Sequence, residues 1–309
     1  MLSFAYTKDL QLHEMLRDID RLRSQILTLA IPVKTEYKLQ WEAQAIRIWA
    51  TMVLSEYEVP KQYVTAILAH PTRPTRSVAM IQAQRAVYDY IHTSWRANPK
   101  PVNLTAFETI YSLLYPLQHN FSSHEPAMKE LLEYLDAANE HPVIQAAIAH
   151  LRLLNLPDLT DPGLLARSIH YLFLAKYGYD LRGYATPERV WHDDPAYRHI
   201  WETYAKASSI TKWLEYIADG MRTNLETILK DIQESRFHVE FPPSFWELSD
   251  RQKNLLKLLE NPEEKITNRQ VQKRYHVSQI TASRDLTHLT SLGLLYPHGK
   301  GRSVYYTKI

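Results

Sequence analysis

The sequence predicts a mainly α-helical protein in two parts: a large helical bundle over residues 1–235, then a small module of three helices and a β-hairpin over residues 249–309. Three observations carry this. Apolar residues recur at three- and four-residue spacing along most of the first 235 positions. Only 7 of the 309 residues are glycine, which argues against a turn-rich β protein or one rich in phosphate-binding loops. The last sixty residues show helical spacing first and strand spacing only at their end, around a basic, glycine-containing turn.

Leu10, Leu12, Leu16, Ile19, Leu22, Ile26 and Leu29 give a first amphipathic helix, which Pro32 ends. A second helix runs over about 36–56 with Trp41, Ile46, Trp49 and Val53 on its face. A short helix after Pro60 leads to a loop at His70-Pro71-Thr72-Arg73-Pro74. Further helices are expected over about 78–95, 104–114, 126–138, 142–154, 164–177 and 195–207, and a long last one over 210–235. Residues 236–248, with Pro242-Pro243, read as a linker.

The C-terminal stretch carries sharper signals. A helix opens at Ser249, with Gln252 three residues on, and carries Leu255, Leu256, Leu258 and Leu259 before Asn261-Pro262 stops it. A second opens at Thr267, where Gln270 completes a capping box and Ile266 can staple onto Val271. The turn His276-Val277-Ser278 leads to a third helix with Ala282, Leu286, Leu289 and Leu292 on one face and Gly293 as its stop. Leu294-Leu295-Tyr296 and Val304-Tyr305-Tyr306-Thr307 then form a hairpin around a Pro-His-Gly-Lys-Gly-Arg turn at 297–302. Helix, helix-turn-helix and basic hairpin in that order read as a winged helix-turn-helix, a module that binds double-stranded DNA and in some proteins docks other proteins.

In that geometry the third helix enters the major groove with its N-terminal turn nearest the bases. Ser278, Gln279, Ile280, Thr281, Ser283, Arg284 and Thr287 are expected on its outward surface. Gln279 suits adenine, Arg284 guanine or phosphate, and Ile280 a thymine methyl. Thr267 and Arg269 are expected on the DNA backbone, Lys300 and Arg302 at the hairpin tip on phosphate or in the minor groove. Asp285 is expected to orient Arg284 or Lys273. Charge agrees: residues 249–309 hold 11 basic and 5 acidic side chains, whereas the first 248 hold 25 and 29.

Composition bounds the rest. With 45% hydrophobic and 23% charged residues the chain has enough apolar material for a sizeable core. It has no cysteine, which excludes disulfides, thiolate metal sites and a cysteine nucleophile and suits a reducing cytoplasm. No apolar run reaches the roughly 18 residues that span a bilayer, so no membrane partner is expected. His192-Asp193-Asp194 with His199 could be drawn as metal ligands, but they lie at a helix start where acidic residues complement the dipole, and no metal or other cofactor is expected. His119 and His124 fall in a loop without an acidic neighbour. The 20 tyrosines and 7 tryptophans sit at helical spacing, as core and interface residues do.

The helical body has a resemblance of its own. The stretch from His141 through Pro142, Val143, Ile144, Gln145, Ala146, Ala147, Ile148 and Ala149 to His150 resembles the helix that precedes the active-site loop in Fic-domain (Fic/DOC) proteins. Leu174-Ala175-Lys176-Tyr177-Gly178-Tyr179 and the run from Tyr197 through Tyr204 to Thr211-Lys212-Trp213-Leu214-Glu215-Tyr216-Ile217 resemble the helices that follow it. Asn103-Leu104-Thr105 through Leu114, and Met128 through Leu135, are similar to upstream parts of the family. A winged helix behind a Fic domain is a familiar arrangement in bacterial members. The resemblance implies a Fic-like helical bundle, with residues 1–75 as its N-terminal helical region and 76–235 as its core.

The family's motif, His-Pro-Phe-x-x-Gly-Asn-Gly-Arg, is what this chain lacks. In active members the histidine takes a proton from the target hydroxyl, the glycines let backbone N–H groups close around the phosphates of ATP, and the arginine neutralises phosphate charge. By the family's spacing from His141 the histidine position falls on Pro157, in the stretch Pro157-Asp158-Leu159-Thr160-Asp161-Pro162-Gly163-Leu164-Leu165-Ala166-Arg167. The base is gone, one glycine remains, and Arg167 lies one position short of the family's second arginine. Asp161 suits an N-cap and Pro162 the first helical position, so this helix start is expected to satisfy itself, with a capping carboxylate where phosphate would sit. Arg167 is expected to be solvated or ion-paired. Tyr115–Pro126 offers no β-hairpin flap of the kind that docks target peptides. The stretch matching the family's inhibitory helix, Thr51-Met52-Val53-Leu54-Ser55-Glu56, has serine where a glutamate belongs.

These readings point to a cytoplasmic, dimeric DNA-binding transcriptional regulator on a catalytically inactive Fic-like scaffold that supplies dimerisation and effector or partner sensing. Two alternatives stand beside it: a divergent Fic-type nucleotidyltransferase acting on proteins, and an antitoxin-like partner of an active Fic enzyme.

Overall fold

The computed structural model describes residues 4–31, 33–69, 75–96, 98–118, 121–192, 194, 196–204, 208–235, 248–259, 264–299 and 304–308. The expected loop at 70–74, most of the linker (236–247), His119 and Asp193 lie outside them. Along the first 235 positions run α1 (Leu10–Thr28), α2 (Val33–Leu54), α3 (Lys61–Ala69), α4 (Arg76–Ser94), α5 (Leu104–Leu114), α6 (Phe121–Ala138), α7 (Pro142–Leu154), α8 (Pro162–Lys176), α9 (Glu188–Trp191), α10 (Ala196–Tyr204) and α11 (Thr211–Ser235). A short 3-10 turn, Leu181–Gly183, lies between α8 and α9.

Helix α8 is the axis of the body. From Gly163 to Lys176 all its residues are buried, as expected of a helix whose apolar side chains run round its whole circumference. It packs along α7, whose residues Val143 to Leu151 are also buried, and against α2, α4 and α5. Helix α1 lies on α11, and α11 closes over α7, where the Trp213 indole N–H donates to the Ala147 carbonyl at 2.8 Å. Gly220 on α11 is small for a reason: a Cβ there would run into the Trp191 indole. The local signals hold where they are self-contained. Asp9 caps α1 by accepting from the Leu12 N–H at 2.9 Å, and Asn103 caps α5.

One helix start differs from expectation. Pro126 suggests a beginning, yet α6 starts at Phe121 and carries the proline inside. The earlier turn is held by packing: the Phe121 ring meets Tyr111 edge-on at 5.4 Å and His124 is buried, which offsets the backbone donor that proline lacks. No strand occurs between Tyr115 and Pro126 among the described residues.

The C-terminal module has α12 (Asp250–Leu258), β1 (Ile266–Thr267), α13 (Asn268–Tyr275), α14 (Gln279–Ser291), β2 (Leu295–His298) and β3 (Tyr305–Lys308). The sheet is antiparallel in the order β1-β3-β2, with Ile266 opposite Tyr306 and His298 opposite Tyr305. Strand β1 was not expected. Ile266, the apolar residue before the Thr267 cap, also pairs with the hairpin. Leu248, Leu255, Leu256, Leu259, Ile266, Val271, Ala282, Leu286, Leu289 and Leu295 form a core separate from that of the body. Among the described residues no helix is long and apolar enough to cross a membrane.

Candidate nucleic-acid interface

The helix at Thr267 is capped as its spacing suggests, and the next one is capped by Ser278, which reads in the sequence only as a turn residue. At α13 the Thr267 hydroxyl accepts from the Gln270 N–H at 3.3 Å, and the Gln270 side chain accepts from the Thr267 N–H at 2.7 Å. At α14 Ser278 accepts from the Thr281 N–H at 3.2 Å, and the two hydroxyls lie 3.0 Å apart. His276 turns the chain between them at φ 51°, and Gly293 stops α14 at φ 67°.

Ala282, Leu286 and Leu289 face the module core, as expected. The remaining outward side chains divide into two stripes. Ile280, 68% exposed, and Arg284 with Thr287 one and two turns on, occupy one flank. Gln279 and Ser283 occupy the other, where Asn268 ties the helices together by donating to the Gln279 carbonyl at 3.3 Å and the Ser283 hydroxyl at 2.8 Å. Asp285 departs from its expected role. It is buried and receives Arg251 Nε at 2.5 Å and Gln252 Nε2 at 3.0 Å, so it fastens α14 to the start of α12 and orients neither Arg284 nor Lys273. Gln252 also accepts from the Ser249 N–H at 3.0 Å, closing the cap of α12. Lys300 and Arg302 lie outside the described residues.

The module rests against the body. Helix α14 meets α3, and Tyr296 of β2 packs edge-on against Trp41 with ring centres 5.6 Å apart while its hydroxyl donates to Gln44 Oε1 at 3.3 Å. Thr267, Arg269, Gln279 and Ser283 therefore line one wall of a cleft of about 850 Å³ whose other wall is Ile67, Leu68, Gln82 and Arg85. The Ile280–Arg284 stripe does not line it. Sequence reasoning missed this contact: Tyr296 reads as an ordinary strand residue, and nothing local marks its partner.

A second cleft, of about 700 Å³, lies at the start of α8. Asp161 stands before Pro162 as expected, but its side chain makes no cap. The residue is left-handed, φ 55°, and its carboxylate accepts from the Ser55 hydroxyl at 3.0 Å. Burial pushes its pKa up against the opposing pull of Arg167. Arg167 is neither solvated nor ion-paired. It is 1% exposed and donates to the Thr51 carbonyl at 3.2 Å and to the Ser55 hydroxyl. Its guanidinium fills the space above Gly163, where a Cβ would come within 2.6 Å of it. Among the described residues the carboxylates lining this cleft are Glu56, Asp161, Asp194 and Glu202, the cations are Arg167 and Arg198, and no histidine lines it. Arg198 is paired with Glu56. Pro157 is exposed and is not part of the lining. His150 and His170 are instead fully buried among Trp191, Trp213 and Tyr197. His150 bonds the Tyr197 hydroxyl at 2.9 Å, and burial pushes His170 down to about 4. Among the described residues no three metal-ligating side chains gather, and His192 packs edge-on against Trp49 at 4.4 Å.

The class of fold is shown by a solved structure. A Fic family protein from Desulfovibrio desulfuricans G20 superposes with a TM-score of 0.61 at 14% identity, covering 100% of this chain and 98% of that one. The fold is thus Fic-like along the whole chain. No family model and no curated protein matches the sequence.

Proposed function

We propose that the chain is a DNA-binding transcriptional regulator whose C-terminal module is a winged helix-turn-helix and whose body is a Fic-like scaffold without transferase chemistry. The observation that carries this reading is the outward face of α14: a helix on its own small core, braced by Asp285–Arg251, with Ile280 and Arg284 left on the surface of a module with six more basic than acidic residues. Ile280 suits a thymine methyl and Arg284 a guanine edge or phosphate, as do Gln279, Ser283 and Thr287 for neighbouring bases. Thr267 and Arg269 suit the DNA backbone, and Lys300 and Arg302 the hairpin contacts. A single module reads a short half-site, so a homodimer is part of the proposal.

A helix about 10–12 Å across fills a major groove about 12 Å wide, so groove walls approach both its flanks. With α3 against the Gln279–Ser283 flank, reading DNA requires the module to swing away from α3. The transferase alternative finds less support. Among the described residues of the α8 cleft four carboxylates face two arginines, both already engaged, which repels a triphosphate, and none of them is a histidine base. The reading is tested by mobility shift of the gene's own upstream DNA with the wild type, Tyr296→Ala and Arg284→Ala. Tyr296→Ala, which loosens the docked module, is expected to bind more tightly, and Arg284→Ala more weakly. Failure of both the wild type and Tyr296→Ala to retard any DNA overturns it.

A further inference from the structure

Among the described residues of the β2–β3 hairpin, His298 alone titrates in the mildly acidic range. It ends β2 opposite Tyr305 of β3, its ring stacked on the Tyr305 ring at 4.8 Å and meeting the Tyr296 ring edge-on at 4.7 Å. Its Nε2 lies 2.8 Å from the Thr307 hydroxyl. Tyr296 is the residue that packs on Trp41 and bonds Gln44, so the imidazole stands beside the contact that holds the module on the body. Half-buried there, it lines the cleft between hairpin and body with Arg85, Asp89 and His92 of α4, Arg47 of α2 and Arg182 of the 3-10 turn.

Across that cleft the charges are mostly positive. Arg47 and Arg182 have carboxylates of their own, Glu188 at 4.0 Å and Glu36 at 3.4 Å. Arg85 is held in place, its Nη1 donating to the Leu68 carbonyl at 2.9 Å and its Nε lying 3.8 Å from Asp89. Burial, and after it the Arg85 guanidinium, hold the His298 pKa below the ordinary imidazole value. From the module Lys265, 5.3 Å over the Tyr305 ring, adds a further positive charge nearby. Tyr37, Tyr88 and Tyr171 also face the cleft from the body, and phenols carry no charge at acid pH. His92 is the other imidazole there, but the charges that act on it, Arg96, Asp89 and Arg47, all belong to the body. Arg85 acts on His298 from the opposite side of the junction, and only while the module is docked.

We propose that His298 makes the docking of the module pH-sensitive: its protonation at mildly acidic pH releases the module from the body and uncovers the Gln279–Ser283 flank of α14. Release puts the imidazole in water and takes Arg85 away, while Tyr305, Thr307 and Lys265 stay beside it. The released arrangement therefore binds the proton more readily than the docked one, and acid favours release. Docking is at full strength above the ordinary imidazole value of about 6.5 and weakens as pH falls through the lower value of the docked state. The gain in DNA binding rests on the reading proposed above; the release does not.

The chain has no cysteine, so Ser24→Cys on α1 and Ser291→Cys at the end of α14, both exposed, carry the only nitroxide labels on the full chain. Electron–electron double resonance reads the distance between them. From about pH 7.5 to about pH 5.5 the population away from the docked distance is expected to rise about threefold or more. His298→Gln, which stays polar but takes no proton, is expected to abolish the rise, and His92→Gln to leave it. Arg85→Gln, which removes the repelling charge, is expected to move release to lower pH. A distribution unchanged by pH, or a rise that His298→Gln retains, overturns the switch. If His298→Gln is undocked at both values, Arg85→Gln decides, and a release midpoint unmoved in that variant overturns it too. Anisotropy with labelled upstream DNA reads the consequence: wild-type affinity should approach that of Tyr296→Ala as pH falls over this range. Acid release by a chain that binds no DNA at either pH upholds the switch and overturns only the DNA-binding reading.

Discussion

Two helix starts in this protein face open clefts or solvent, and they treat their polar groups in opposite ways. At α8, Asp161, Ser55, Thr51 and Arg167 bond to one another, and Tyr115 donates to the Asp161 carbonyl at 2.9 Å. What remains around the opening is mostly acidic. At α14, the cap is closed by Ser278 and the helix is pinned from behind by Asp285, but Ile280 and Arg284 are left outside. A helix N-terminus is an anion site only when its surroundings leave donors and positive potential for the anion. The first region spends both on itself. The second leaves an apolar and a basic side chain exposed side by side.

The contrast can be broken most severely at the core of the module. Leu286 is fully buried there, and Leu286→Ala is expected to cost about 4 kcal/mol. DNA binding should disappear, whereas tryptophan fluorescence, which arises entirely outside residues 249–309, should keep its native unfolding midpoint. A lowered midpoint for the tryptophans would mean that the two cores are not independent.

At the α8 start, Arg167→Ala leaves the buried Thr51 carbonyl and the Ser55 hydroxyl that holds Asp161 without their donor. A loss of about 3 kcal/mol in urea unfolding is expected, with DNA affinity unchanged. A neutral result would show that this arginine is dispensable to the body and reopen the question of what it is for.

Acid should act on the body by a similar amount. His170 sits at about 4 in the fold and near 6.5 when the chain is unfolded. Between those values the unfolded state binds a proton that the folded state does not, so stability is full above about pH 6.5 and declines as pH falls toward 4. The difference corresponds to about 3 kcal/mol for this one side chain, and His150, held down in the same aromatic cluster, adds in the same direction. Urea midpoints across that range check it, and His170→Gln should flatten the profile.

The smallest expected effect belongs to the open surface. Arg284→Ala should weaken DNA binding by about 2 kcal/mol, roughly thirtyfold, without changing stability. Comparable loss on all sequences would assign Arg284 to phosphate, and loss on some only would assign it to a base.

Which features could be read from the sequence follows from the distance over which each is decided. The caps at Ser249 and Thr267, the Gly293 stop and the inward stripe of Ala282, Leu286 and Leu289 are settled within four or five residues, and these signals are local. The buried state of Arg167 depends on Thr51 and Ser55 more than a hundred positions earlier. Asp285 finds Arg251 across 34 positions, and Tyr296 finds Gln44 across 252. No spacing rule reaches that far. The Asp161-Pro162 pair gave the right helix start and the wrong bonding, because the left-handed backbone at Asp161 turns its carboxylate toward Ser55. The two stripes on α14 were expected as one surface, since only the docked body distinguishes them.

The most direct test is a fluorescence anisotropy titration of labelled upstream DNA with the full chain and with Tyr296→Ala, repeated from low to physiological salt. Binding should be tighter for Tyr296→Ala than for the wild type. The logarithm of its affinity should fall linearly with the logarithm of salt, with a shallower slope for the Arg284→Ala double variant if Arg284 meets phosphate. The same flat baseline for both proteins at the lowest salt would contradict a DNA-reading role for α14.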